Sequence, residues 1–321
     1  MKKKHILFTM ALIFLLAGCG SASDETKSQE SNKASSEVSE VETIKVGVMP
    51  SMDNMPFVIS HEQGFDKDHG VDIQLQTFKA AKDRDAAFQA GELDGINADL
   101  VGVATYLQGG MDIKVTSATY GQFDLIATAE NKSVDDLKGK QIAIMKNQGP
   151  EFSIDQILQK AGLTEADVSL VDVPAVPSRV ELLENEQAQG AIVPEPFVTM
   201  SEEKGLVSLG STRDFGINPF VLCFTTDTID KKAEALRGMY EAYNEAVDWM
   251  KEQDQSEYID LFVEEVGFPE ELKDKIEVPD YPHIEQASVE DVTLAFDWAK
   301  EHKLLTDDIT PDEVLSDVYF K

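Results

Sequence analysis

Few residues in this chain have the types and spacing that chemistry requires. The five histidines, His5, His61, His69, His283 and His302, never recur at the short i+2 to i+4 intervals of a metal site. The chain has no Gly-x-Ser-x-Gly, P-loop or His-Glu-x-x-His pattern. Its two cysteines are Cys19 and Cys223, and Cys223 lies in the apolar run from Phe220 to Phe224, where a thiol acts as a small buried hydrophobe. With 60 Asp and Glu, the closeness of any two carboxylates carries no information about acid–base work. No catalytic residue, metal ligand or cofactor is therefore assigned. What remains is a loop with binding chemistry, Ser51-Met-Asp-Asn-Met-Pro-Phe57, which combines a carboxylate, an amide and an aromatic ring. It follows the alternating stretch Ile44, Val46, Val48, which reads as a strand. In an open α/β sheet, ligands collect at the loops leaving the carboxyl ends of strands.

The elements that must hold this loop alternate between strand and helix. Expected helices cover residues 55–63, 79–90 and 99–108, the last opening with Asp99 as an N-cap. Expected strands cover 71–77, 96–98, 113–119 and 123–128, so the first unit is βαβαβ and mostly parallel. A second unit repeats the pattern. A short turn and strand at 133–145 lead into the loop 146–149, followed by a helix at 152–161, a strand at 168–173, a helix at 176–187 and a strand at 190–193. A further helix opens at Pro194-Glu-Pro-Phe197, where a proline near N1 loses no needed N–H, and a short strand follows at 206–209. A strand at 219–225 carries the chain back. The remainder is expected to be helical nearly to the end, with Asp227 as an N-cap, one apolar stripe through Leu236, Tyr240, Tyr243 and Val247, and amphipathic helices at 289–302 and 310–319.

The formal charge of −32 makes nucleic acid and anionic lipid headgroups poor partners. The N-terminus reads as an address. Lys2, Lys3 and Lys4 precede the apolar run 6–16, which is short for a membrane span, and then comes Leu16-Ala17-Gly18-Cys19. This resembles a bacterial lipoprotein signal cleaved before a lipidated cysteine. Residues 1–18 are then a signal peptide, and acyl chains such as palmitate on Cys19 hold the protein at the outer face of the cell membrane. Residues 19–42 are rich in Ser, Glu and Lys and read as a flexible tether.

The motifs Leu137-Lys-Gly-Lys-Gln-Ile-Ala-Ile144, Ala90-Gly-Glu-Leu-Asp-Gly95 and Glu195-Pro-Phe197 resemble those of the solute-binding lipoproteins of ABC importers. The most similar subgroup binds alkanesulfonates, taurine, nitrate and thiamine-precursor pyrimidines. The resemblance covers residues 43–321. It implies a type II periplasmic-binding-protein fold of two α/β lobes, with 43–128 plus 222–321 as the first lobe and 129–221 as the second. It implies hinges near 128–131 and 218–221, a monomer, and delivery of the solute to a permease driven by an ATPase. Carried onto this sequence, the family cleft falls on Asp53, Asn54, Phe57, Asn97, Asp99, Thr119 and Tyr120 in the first lobe. In the second lobe it falls on Asn147, Gln148, Phe152 and Glu195. These loops offer Lys146 and little else that is cationic, against several carboxylates, amides and rings. That balance favours an amine-bearing heterocycle, such as a thiamine-precursor pyrimidine, over a sulfonate. An aliphatic sulfonate of the taurine type is the alternative. The rivals from other classes are an enzyme on the same scaffold and a surface receptor with no transport role. Pyrimidine-precursor synthases that share the scaffold need a cysteine-rich motif that this chain lacks.

Overall fold

In the computed structural model, residues 41–320 are described. The expected signal peptide, the lipidation site Cys19 and nearly all of the tether lie outside them. In chain order the strands are β1 (Glu42–Val48), β2 (Val71–Thr77), β3 (Gly95–Asp99), β4 (Ile113–Ala118), β5 (Asp124–Ala127), β6 (Gln141–Ile144), β7 (Ser169–Asp172), β8 (Gly190–Val193), β9 (Val207–Ser211) and β10 (Phe220–Thr225). They form two five-stranded sheets, ordered β2-β1-β3-β10-β4 and β7-β6-β8-β5-β9. In each sheet four of the five strands run in the same direction. One long-range strand is inserted antiparallel beside them, β10 in the first and β5 in the second.

The sheet assignment corrects one expectation. The strand expected at 123–128 as the end of the first lobe is β5, and it belongs to the second sheet. The chain therefore crosses over at residues 119–123, earlier than the expected 128–131, and returns at 212–219. The near-continuous apolar character of β5, Asp124-Leu-Ile-Ala127, is that of a strand buried on both faces between β8 and β9.

The helices are α1 (Met55–Gln63), α2 (Phe65–Asp68), α3 (Ala81–Gln89), α4 (Leu100–Gln108), α5 (Gly149–Lys160), α6 (Val176–Glu184), α7 (Phe197–Glu203), α8 (Thr226–Lys231), α9 (Ala233–Glu252), α10 (Ile259–Val266), α11 (Val289–Glu301) and α12 (Pro311–Val314). Their ends follow local chemistry. Gly64 takes a left-handed φ of 82° to close α1, and Asp99 caps α4 by accepting from Gly102 N at 2.9 Å. Helix α5 starts earlier than expected, at Gly149, with Pro150 in its first turn. The expected cap Asp227 lies within α8, and the cap is Thr225, whose side chain accepts from Thr228 N. The expected helix at 310–319 shrinks to α12, because the chain after Val314 is extended and Leu315 bridges to Val115 of β4.

The apolar face of α9 buries Leu236, Tyr240, Tyr243 and Val247 against β1, β2 and α1, as its periodicity requires. A second core is continuous across both sheets. It joins Ile96 and Val103 of the first sheet's layer to Phe152 and Ile157 of α5 and to Trp298 of α11. Between α10 and α11 the chain is not helical as expected but forms an irregular strap, residues 276–288, laid over the end of β4. It is tied down where Ala118 N donates to Glu285 O at 2.8 Å, Ile284 N to Asn244 Oδ1 at 2.7 Å and Tyr281 OH to Met52 O at 2.7 Å.

Candidate functional site

The carboxyl ends of β1, β3 and β4 meet in a knot of buried polar side chains. Asp53, 1% exposed, sits in a 3-10 turn after β1. Its Oδ2 accepts from Asn97 Nδ2 at 2.8 Å and from Thr119 Oγ1 at 2.6 Å. Asn97 also donates to Asn54 Oδ1 at 3.0 Å, and Asn54 Nδ2 donates to Met49 O at 2.7 Å. Four of the expected site residues, Asp53, Asn54, Asn97 and Thr119, are thus brought together in one network. The other oxygen of Asp53, Oδ1, is buried with no hydrogen-bond partner, and such a group calls for a donor.

Beside this knot lies a cavity of about 50 Å³. Its walls are Thr119, Tyr120, Arg213, Asn218, Tyr243 and the strap segment 282–285. Tyr120 stands edge-on to Tyr281 at 5.6 Å between ring centroids. The Arg213 guanidinium lies over the Tyr120 ring, 2.9 Å from its centroid, so the cation is held by an aromatic face. Arg213 Nη1 is buried and has no hydrogen-bond partner. Burial lowers the Arg213 pKa, while Tyr120, Tyr243 and Glu285 pull it back up.

Arg213 was not foreseen. The chain has four arginines. Arg84 donates to Asn97 O, Asp85 and Tyr106 OH, Arg179 to the carbonyls of Val173, Pro174 and Ile192, and Arg237 pairs with Glu234. Arg213 alone among them holds a buried N–H without a partner. Its scarcity and its place in the turn Ser211-Thr-Arg-Asp214, after β9 and before the chain returns in β10, were the available signals. The expectation that the strand-end loops offer Lys146 and little else cationic passed over Arg213, and Lys146 itself is exposed.

Several expected site residues do other work. Phe57 is 3% exposed and packs behind Tyr243, with 4.7 Å between ring centroids, so it supports a cavity wall without lining it. Phe152 is 1% exposed and T-stacked on Trp298 at 5.8 Å, which makes it core. Asn147 is exposed in a left-handed turn with φ 57°, its N–H donating to Glu151 Oε2 at 2.6 Å. Gln148 is the N-cap residue of α5 and makes no side-chain cap bond. Asp99 caps α4 and abuts Gly149. None of these lines the cavity.

Glu195 follows β8 and bonds within its own lobe, accepting from Thr199 N at 3.1 Å and Thr199 Oγ1 at 3.0 Å. Burial pushes its carboxyl up to about 7, helped by the nearby Asp124 and Glu202. Asp124 is likewise pushed by burial to about 6, although Ser208 and Gln122 donate to it. Far from this end of the sheets, His61, Asp66 and Asp72 form the one cluster of metal-ligand type among the described residues, and Lys67 is ion-paired to both aspartates.

Residues 37–261 match the NMT1-like family over most of the described chain. The chain belongs to that family. It is 25% identical over 262 residues to a putative aliphatic sulfonates-binding protein of Bacillus subtilis (strain 168), covering 78% of this chain and 75% of that protein. The crystal structure of the periplasmic aliphatic sulphonate binding protein SsuA from Escherichia coli superposes with a TM-score of 0.72 at 17% identity, over 86% of this chain and 92% of that one. The periplasmic nitrate-binding protein NrtA from Synechocystis PCC 6803 superposes with a TM-score of 0.67 at 15% identity, over 88% of each chain. The fold is the two-lobed α/β fold of periplasmic binding proteins, as the family resemblance implied. The cavity of this family member lies where such a fold places a ligand, at the carboxyl ends of the strands and the crossovers between sheets.

Proposed function

We propose that this chain is the extracytoplasmic solute-binding component of an ABC importer, held at the membrane through lipid on Cys19, and that it captures a small organic solute by a sulfonate-type oxyanion. The observation that carries the ligand class is Arg213. It presents a buried, unpartnered Nη1 at the cavity, and a charge-assisted bond to an oxyanion is the strongest use of such a group. Thr119 and Asn218 supply polar walls, and Tyr120, Tyr243 and the strap supply apolar contact for a short carbon chain. The sulfonate-binding description of the Bacillus subtilis relative supports the same class. A binding role is favoured over catalysis by the state of Cys223. Its thiol is fully buried, pushed up by burial to about 12, and so is a poor nucleophile.

One observation favours a second reading. Asp53 Oδ1 lacks a donor, and rings surround it, which suits an amine-bearing heterocycle of the thiamine-precursor type. Thermal-shift and calorimetric titration of the protein with ethanesulfonate, taurine, nitrate and a 4-aminopyrimidine separate the two. Saturable stabilisation by the sulfonates is expected. Stabilisation by the aminopyrimidine alone overturns the sulfonate reading in favour of the second, and stabilisation by none of them overturns both.

A further inference from the structure

Asp99 has two oxygens with different neighbours. Oδ1 accepts from Gly102 N at 2.9 Å and so caps α4 of the first sheet's layer. Oδ2 faces the start of α5, which belongs to the second. A Cβ added to Gly149, the first residue of α5, would stand only 2.9 Å from both Cγ and Oδ2 of Asp99, so the helix start rests on the carboxylate. Burial pushes the Asp99 carboxyl up. The amides of Gly102, Val101 and Gly149, with Arg84, pull against that without overcoming it. A helix start carries unsatisfied N–H groups and partial positive charge, and it attracts an anion. In α5 the second residue is Pro150, which has no N–H, so Gly149 is left as the forward donor. One turn further on, Phe152 is packed on Trp298 of α11, and α11 itself lies against α4.

We propose that Asp99 is an internal anion that latches the two lobes together: one carboxylate caps α4 and at the same time occupies the start of α5. The latch has two effects. It holds α5 against α4 without help from a solute, which biases the protein toward the arrangement in which the two layers are packed together. It also fills the start of α5 with the chain's own carboxylate, so that a solute's oxyanion is directed to Arg213. The small residue at Gly149 is what permits the approach.

The test is hydrogen exchange on the full chain, comparing wild type with Asp99→Ser. Serine remains a good N-cap for Gly102 but is too short to serve Gly149 as well. The Gly149 amide is expected to exchange at least ~10-fold faster in the variant while Gly102 keeps its protection. Small-angle scattering should give a larger radius of gyration. Inorganic sulfate should restore Gly149 protection in Asp99→Ser and have no effect on that amide in wild type. Gly149→Ala, which forces the same contact apart from the other side, should reproduce the Gly149-side changes, and it serves as the reading variant if Asp99→Ser fails to fold. Unchanged exchange at Gly149, or equal loss at Gly102 and Gly149, overturns the latch. A lack of response to sulfate overturns the internal-anion role.

Discussion

At the carboxyl end of the first sheet, Asp53, Asn54, Asn97 and Thr119 bond to one another across β1, β3 and β4. At the corresponding end of the second sheet, Asn147 is exposed, Gln148 makes no cap bond, and Glu195 and Asp124 turn to neighbours in their own layer. The first end is preorganised by side-chain bonds that span three strands. The second is a set of local arrangements with raised carboxyl pKa values and, at the cavity, one arginine. This asymmetry places the side-chain network in the first sheet. The crossover leaving the second sheet contributes charge, through Arg213. A polar knot of this kind costs little once every partner is present and is expensive when one is missing.

The comparison makes predictions that can break it. The largest effect is expected at Phe152. Phe152→Ala should destabilise folding by roughly 3–5 kcal/mol, as a large ring lost from a core does, and should change solute affinity little in whatever fraction remains folded. Chemical denaturation paired with calorimetry checks this. A large affinity loss with normal stability would return Phe152 to the cleft and erase the contrast between the two ends. Next is Asp53→Ala, which strands the donors of Asn97 and Thr119. Unfolding should become easier by about 2–3 kcal/mol in urea titrations, and neutral stability would mean that the knot is not the organiser of the first end.

The smallest effect is expected at Glu195 and depends on pH. Its carboxyl sits at about 7 in the folded protein against 4.5 in the reference state, so the folded state binds the proton more tightly. Stability is fully present below pH 4.5 and falls as pH rises through about 7. Glu195→Gln should therefore be more stable than wild type at pH 8 by on the order of 1–2 kcal/mol, and the difference should vanish near pH 4. Thermal unfolding across this range checks it. A variant less stable than wild type at pH 8 would show a charged, favourably paired Glu195 and a second end organised more like the first.

The elements were largely legible because their signals are local. Alternation gave β1 and β2, the Asp99 cap and the left-handed Gly64 marked helix ends, and the apolar stripe gave α9. The sheet that β5 joins was not legible. A strand buried on both faces reads the same in either sheet, and β5 owes its place to pairing with β8 and β9, whose residues lie far along the chain. The site divided along the same line. Asp53, Asn54, Asn97 and Thr119 sit directly at strand ends, where α/β topology alone points. Phe57 and Phe152 lie one residue pattern away from that position, and the sequence does not say which way a ring turns. Arg213 and Tyr243 reach the cavity from a crossover and a late helix, and Tyr281 of the strap backs its wall through Tyr120. Only tertiary packing brings those three together, for example through Tyr281 OH on Met52 O, a link spanning more than two hundred residues.

The central claim is that an oxyanion-bearing solute is held by Arg213 against a preorganised first sheet. Isothermal titration of a sulfonate that binds wild type, repeated on Arg213→Gln, tests it most directly. Glutamine keeps a polar side chain of moderate length but removes the charge. The expected result is a folded variant whose affinity falls by roughly 10–100-fold, the value of a charge-assisted hydrogen bond in a buried site. Unchanged affinity in Arg213→Gln would contradict the account and move the anion site elsewhere in the cleft.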